Sequence, residues 1–347
     1  MLDVLAARCC RIALIVLVAL PASSRAQARA AKISTADPLT GRRPIPGAVV
    51  VPPAFRRAIA NGTRTSTGAP GPRNWVQHAR YSIDASIDPA TNTVTGRERV
   101  VYLNNSPDTL TELAVYLRQN VFRAGSPRRD AAPTTDGMTL TRVDYGGKAL
   151  EAKPDVDALR SGAPGYAVDA TVMWLVPPAP VLPHDSATLD FAWSYVPALT
   201  PSDGREGRDD HLYFMGYWYP QIAVYDDVNG WMADPYLLEA EFYMDPADYD
   251  VRVTAPRGWV VGATGTLRNA DSVLSASARA KLAEARRTGR VVTISKPDDS
   301  AAAFASPAPS VTWHFTAPNV RDFAWGTSDR YVWDATRALI RNAHDAS

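Results

Sequence analysis

The residues able to do chemistry are few and scattered. The chain of 347 residues carries five histidines, His78, His184, His211, His314 and His344, and no two stand four apart. A helical His-x-x-x-His zinc pair is therefore absent from this sequence. The nearest metal-like cluster is Asp209-Asp210-His211, in a polar loop beside Gly204 and Gly207. Three neighbouring side chains diverge, so a solvated loop is the plainer reading than a metal centre. Ser328 in GTSDR lacks the second glycine of a nucleophile elbow, and no phosphate-cradling glycine loop or dinucleotide fingerprint occurs. The acid pairs Asp226-Asp227 and Asp298-Asp299 are immediate neighbours. Extended neighbours point to opposite faces, which favours solvated turns over an acid and base acting together. These residues make no convincing catalytic apparatus.

One stretch is unusual. YFMGYWYPQIAVYDDVNGW, from Tyr213 to Trp231, packs seven aromatic residues into nineteen positions, with two acids at its centre and Asn229-Gly230 near its end. It reads either as the wall of a binding site or as the dense core of a β-domain, and the Asn-Gly step favours a hairpin joining two packed strands.

The elements that must position these residues follow from pattern. In HARYSIDASID, Tyr81, Ile83, Ala85 and Ile87 alternate with smaller or polar residues, which predicts a half-buried strand. DPATN makes a turn and TVTGRERVVYLNN returns as a second strand; TELAVYLRQNVF, with Leu113, Val115 and Leu117 on one face, reads as a third. The same grammar continues through MTLTRVDYGG, VMWLVPPAP, ATLDFAWSYVP, LLEAEFYMD, YDVRVTAP and WVVGATGTL. The predicted fold is all-β, a large sandwich or twisted-sheet, saddle-like domain. One helix is expected inside it, over DSVLSASARAKLAEARRTGR: Leu274, Ala278, Leu282 and Ala285 share a face, Arg286 and Arg287 close the last turn and Gly289 stops it. Packing is its expected role. The segment from Tyr331 to Ser347 begins something helical and reads as cut.

Composition bounds the rest. Hydrophobic residues make up 46% and charged residues 21%, and a net charge of +1 offers no field for nucleic acid or an anionic membrane. MLDVLAARCCRIALIVLVALPASSRAQA has Arg8 and Arg11, an apolar run from Ile12 to Leu20, and small residues near Ala26. That layout predicts a signal peptide over residues 1–28, too short for a comfortable membrane span, and hence export to the periplasm or the exterior with no span after cleavage. Cys9 and Cys10, the two cysteines, precede the apolar run, so the mature chain is expected to stand on its core without disulfides. Residues 29–74, rich in Pro, Gly and Arg, read as a linker that could cross the next domain's surface; Asn61-Gly62-Thr63 fits a glycosylation sequon only weakly. The β-domain is expected over 75–330.

The order of segments resembles the aminopeptidase N family of zinc metallopeptidases (gluzincins). ARYSIDASIDPATNTVTGRERVVYLNNSPDTLTELAVYL is similar to that family's opening hairpin, and VLPHDSATLDFAWSYVP to its turn into a long strand. WYPQIAVYDDVNGWMADPYLLEAEFYMDPADYDVRVTAPRGWVVGATGTL most resembles the exported bacterial branch, and APNVRDFAW with TSDRYVWDAT the last strands before the catalytic domain. The resemblance covers roughly Trp75 to Thr336. It implies the N-terminal β-domain of a secreted aminopeptidase that removes N-terminal residues from peptides. The family's zinc ligands, its His-Glu-x-x-His glutamate, its Gly-x-Met-Glu-Asn and its oxyanion tyrosine belong to a following domain, and none is in this sequence. The resemblance therefore assigns no cofactor to this chain; zinc and peptide substrate belong to the missing catalytic domain, and residues 331–347 would be its truncated start. The family's corresponding region supplies an amide or acid near the substrate amine. Gln221, beside Tyr219, is the candidate here, Asp226 the second.

The rival reading is a stand-alone secreted all-β module gripping peptide or glycan through Trp218, Tyr219 and Trp231, which requires those rings in solvent. A domain made to dock a catalytic partner should instead expose a broad apolar face near Trp325 and Trp333.

Overall fold

A computed structural model of the chain describes residues 50–199, 206–238, 243–298, 303–305 and 307–339. The expected signal peptide, residues 29–49 of the expected linker, His344 and Asp299 lie outside the described residues.

Alternation builds the main sheet. Along His78–Asp88 every second residue is buried, and the return strand Thr93–Leu103 buries Val94, Gly96, Glu98, Val100 and Tyr102 in the same phase. A one-residue slip would turn all of these to water, so the pattern fixes the register. The two strands pair without a break from His78–Leu103 to Asp88–Thr93. Their turn is locked by Asp88, whose Oδ1 accepts the Ala90 N–H at 3.0 Å, while Asn92 takes the left-handed φ of 55°. In an eight-stranded sheet the order is Thr266–Leu267, Ser310–Val320, Ala247–Pro256, His78–Asp88, Thr93–Leu103, Ser186–Tyr195, Thr139–Tyr145 and Lys148–Ala149. All neighbours are antiparallel except His78–Asp88 with Ala247–Pro256, which run parallel. A parallel pair needs a crossover. Here that crossover is long enough to hold a whole five-stranded sheet.

A five-stranded sheet, ordered Gln221–Ile222, Leu113–Tyr116, Val172–Val176, Gly165–Asp169 and Glu151–Ala152, and a four-stranded one, ordered Gly207–Arg208, Leu212–Met215, Trp325–Ser328 and Val260–Ala263, complete the layers. One core joins all three: Ile83, Val251 and Trp193 of the large sheet, Leu113 and Leu175 of the second, Tyr213 and Trp325 of the third. Each such fully buried apolar side chain contributes roughly 1.5–3 kcal/mol relative to exposure. The fold is the all-β sandwich expected.

Several expectations are corrected. Four helices, not one, stand among the described residues. The segment read as linker contains Pro53–Asn61, started by a proline in its first turn and ended by Gly62 at φ 75°. Thr63 of the sequon donates its hydroxyl to Ala58 O at 3.1 Å, closing this helix. The inserted helix is broken in two, Ala270–Val273 and Ala276–Thr288. Leu274 turns extended and wholly buried between them, and Ser275 accepts the Ala278 N–H as a fresh cap. The third strand stops at Tyr116, and Arg118–Phe122 is a 3-10 turn. The expected strand LLEAEFYMD has no strand among its described residues, and Trp333–Ala335, expected helical, is a strand paired with Val292–Ser295. Among the described residues no helix is long and apolar enough to cross a membrane.

Candidate functional site

Strand Gln221–Ile222 is the outer edge of the five-stranded sheet, with Gln221 opposite Tyr116. The neighbouring strand runs into the 3-10 turn that delivers Arg118, and all five residues of that turn are buried. The Arg118 guanidinium lies 4.4 Å from the centre of the Tyr116 ring and 5.6 Å from that of Tyr217, and donates to Gln221 Oε1. Gln221 Nε2 donates to Tyr219 Oη at 3.0 Å. Tyr219 in turn donates to Asp322 Oδ1 at 2.7 Å and lies 2.8 Å from Tyr249 Oη. With its proton on Asp322, Tyr219 accepts from both Gln221 and Tyr249, which uses all its capacity. The Ile222 N–H donates to Tyr81 Oη at 3.1 Å, and the Tyr81 and Tyr249 rings stack at 4.9 Å.

Burial sets the electrostatics of this cluster. It raises the Asp322 carboxyl above the usual range, a shift that the Tyr219 hydrogen bond and Arg118 oppose. It raises the Tyr219 hydroxyl well above its usual value, helped by the charge of Asp322. Nearby, Gln119 donates to Glu206, whose carboxyl burial pushes up to about 8. Asp245, which shares a crevice with Gln221, Tyr81 and Tyr249, is raised by burial to about 6. That crevice holds about 20 Å³, room for one water molecule. The network fixes an amide in a chosen orientation at a sheet edge. It has no activated nucleophile.

The sequence candidates fall in different places. Gln221 is 4% exposed and hydrogen-bonded on both sides. Asp226 Oδ1 accepts the N–H groups of Val228 and Asn229 at 3.0 and 2.7 Å, so it caps the turn between Val224–Asp226 and Gly230–Met232. Asp227 pairs instead with Arg64, at 2.6 Å. His211 Nδ1 sits 3.0 Å from Asp329, and Asp209 accepts the His211 N–H. Ser328 is buried and accepts the Arg330 N–H. Among the described residues no three His, Cys, Asp or Glu side chains gather as metal ligands. The aromatic platform fails, because Trp218 is fully buried and Tyr219 nearly so, each inside the core; only Trp231 is half-buried, its Nε1–H held by Glu112 O. Of the two tryptophans expected at an apolar face, Trp325 is core, 1% exposed, while Trp333 is half-buried and lines an apolar cavity beside the helix Ala276–Thr288.

Sequence reasoning missed Arg118, Asp322, Tyr81 and Tyr249. A signal existed for the first two. Each is a charge set in an apolar run, LAVYLRQNVF and APNVRDFAW, and a charge so placed needs a partner.

The chain matches no family model, and no curated protein matches its sequence. Among solved structures, a variant of a two-domain M1 zinc metallopeptidase bound to L-tryptophan aligns with a TM-score of 0.39 at 12% identity, over 75% of this chain and 44% of its own. An M1 zinc metallopeptidase variant from Deinococcus radiodurans bound to a Tyr-Ser-Ala substrate gives the same four values. The M1 zinc metallopeptidase of that organism aligns at 0.38 and 14%, over 73% and 42%. The chain thus spans less than half the length of these structures.

Proposed function

We propose that this chain is the N-terminal β-domain of an exported zinc aminopeptidase of the aminopeptidase N family, a domain with no turnover of its own. Support comes from the way the resembling stretches fold. The opening stretch is a single unbroken hairpin. Leu182–Asp185 turns into the strand Ser186–Tyr195, and VYDDVNGW closes as a hairpin. The observation that carries the reading is the edge strand Gln221–Ile222, where the best-matching stretch presents an amide clamped between Arg118 and Tyr219.

The zinc of such an enzyme is assigned to its catalytic domain; among the described residues of this chain no three His, Cys, Asp or Glu side chains gather as ligands. The chain's own part is positional. It would wall one side of a cleft formed with a catalytic domain and limit access to a free peptide terminus. Gln221 is the residue assigned to the substrate's amine: Arg118 occupies one lone pair of its carbonyl oxygen, and with the side chain 4% exposed beside a crevice that holds one water, the second would have to be uncovered before an ammonium could reach it. Tyr219 has no such capacity left and acts by holding Gln221. Asp226 is held in its turn by Oδ1.

Two measurements test this. Reading the coding DNA past codon 347 should find an in-frame continuation with Gly-x-Met-Glu-Asn and His-Glu-x-x-His; a stop codon with neither motif in a nearby frame sinks the proposal. The purified 347-residue chain, supplied with zinc and an aminoacyl-p-nitroanilide, should release no product. Turnover that a chelator abolishes would show that the chain is catalytic after all.

A further inference from the structure

A cavity of about 770 Å³ opens between the helix Ala276–Thr288 and the sheets. Its walls are apolar: Val261, Leu267, Leu282, Trp313, Phe315 and Trp333. The volume lies in the range of small-molecule sites, and a cavity of this lining favours an apolar occupant over water. One feature makes it more than a dry void. One helix face sets cations at the cavity, at the i, i+7 and i+8 positions Arg279, Arg286 and Arg287. Arg279 is engaged by Asp271, through its backbone O at 2.9 Å and its carboxylate at 3.3 Å. Arg286 and Arg287 are exposed and make no ion pair or hydrogen bond among the described residues. They sit in the last turn of the helix. The partial negative charge of a helix end is about half a unit, so two full positive charges leave this end strongly anion-seeking.

We propose that the cavity is a binding site for a single-chain amphiphilic monoanion, a long-chain carboxylate, with its tail against Leu282, Trp313, Phe315 and Trp333 and its head between Arg286 and Arg287. Charge complementarity selects this occupant: an uncharged apolar molecule would leave the two arginines unused, and a polar anion would leave the apolar walls bare. The site shares no lining residue with the Gln221 crevice.

Calorimetric titration of the 347-residue chain with decanoate and dodecanoate, both below their micelle concentrations, tests it. One saturable site is expected, and dodecanoate should bind on the order of tenfold tighter, since each buried methylene is worth about fourfold. Changing both Arg286→Ala and Arg287→Ala should weaken the carboxylates tenfold or more and leave decanol unmoved. Ala283→Trp, a substitution at an exposed helix position that lines the cavity, should obstruct it and weaken binding tenfold or more. Absence of saturable binding overturns the proposal, and so does binding that Ala283→Trp does not touch, as loose surface adsorption would give. Decanol binding as tightly as decanoate, with the arginine changes silent, overturns the anionic class. Because Arg286 and Arg287 are exposed, their variants fold and keep the test decisive.

Discussion

Gln221 and Tyr219, on either side of Pro220, hydrogen-bond each other at 3.0 Å, and through that bond an edge-strand amide is tied to Asp322, a residue 103 positions from Tyr219. Replacing Gln221 by Ala removes an acceptor from Arg118 and a donor from Tyr219 in a buried setting. A loss of about 1–3 kcal/mol in urea unfolding is expected. A loss under about 0.5 kcal/mol, the size of an ordinary surface change, would mean that water replaces the amide and that the network does not fix it.

Glu206 sets a pH dependence. Burial raises its carboxyl from 4.5 to about 8 in the folded chain, against the opposing pull of the Gln119 hydrogen bond. Between those two values the native chain keeps a proton that the unfolded chain has lost. Stability from this group is therefore fully present below about pH 4.5, falls as pH rises through the window, and levels off above about 8. Asp322, also raised by burial, pulls in the same direction. Glu206→Gln should flatten the decline between pH 5 and pH 8, read from urea midpoints. An unchanged slope would assign the effect elsewhere.

Much of this architecture was open to reading, and the failures share a cause. The strands of the large sheet bury one face and wet the other, so Tyr81, Ile83, Ala85 and Ile87 announce themselves. Gly289 ends its helix at φ 67°, as a glycine after a basic turn should. The helix start failed because Leu274 is wholly buried, and a tertiary contact outweighed the local periodicity that runs through it. Pro53–Asn61 failed because its proline and glycine punctuation was taken for linker composition. The network failed for the same reason in a stronger form. Arg118 meets Gln221 across 103 positions, and no local pattern carries a pairing of that length.

Arg64 and Asp227 clamp the Pro53–Asn61 region to the Asp226–Asn229 turn by a two-pronged bond, Nε to Oδ2 at 2.9 Å and Nη2 to Oδ1 at 2.6 Å. Burial pushes the Asp227 carboxyl up, but hydrogen bonds from Arg64 and Thr63 outweigh it and hold the group below its usual value. That stabilisation is present above the ordinary carboxylate value and is lost as pH falls through the lowered one. Arg64→Ala strands a carboxylate whose side chain is 3% exposed. A loss of about 1–3 kcal/mol is expected, with faster amide exchange across residues 53–74. Unchanged exchange there would show that the helix is held by other contacts.

Glu98 lies on the inner face of the large sheet, opposite Ile83 and Phe191, and neither of its carboxyl oxygens has a hydrogen-bond partner among the described residues. Burial raises its carboxyl well above the usual range. Glu98→Met keeps the volume and removes two stranded polar atoms, and should stabilise the domain at pH 7 by about 1–3 kcal/mol. A destabilised variant would mean that Glu98 has a polar partner in solution.

Gly96 is the tightest fit in the core. It pairs with Trp193, and a Cβ at position 96 would lie 2.1 Å from Trp193 Cζ2 and 2.5 Å from Cε2 and Cη2. The indole cannot yield, being 1% exposed and packed edge-on against Trp218 at 5.7 Å. Nor is the backbone the reason for glycine, because Gly96 is not among the positive-φ glycines. Gly96→Ala should therefore cost about 3 kcal/mol through overpacking alone. Trp193→Phe deletes the ring atoms that collide, so the double variant should be more stable than the sum of the two losses allows, by about 1–3 kcal/mol. Strict additivity in that cycle would place the need for glycine in strand pairing and not in the room the indole takes.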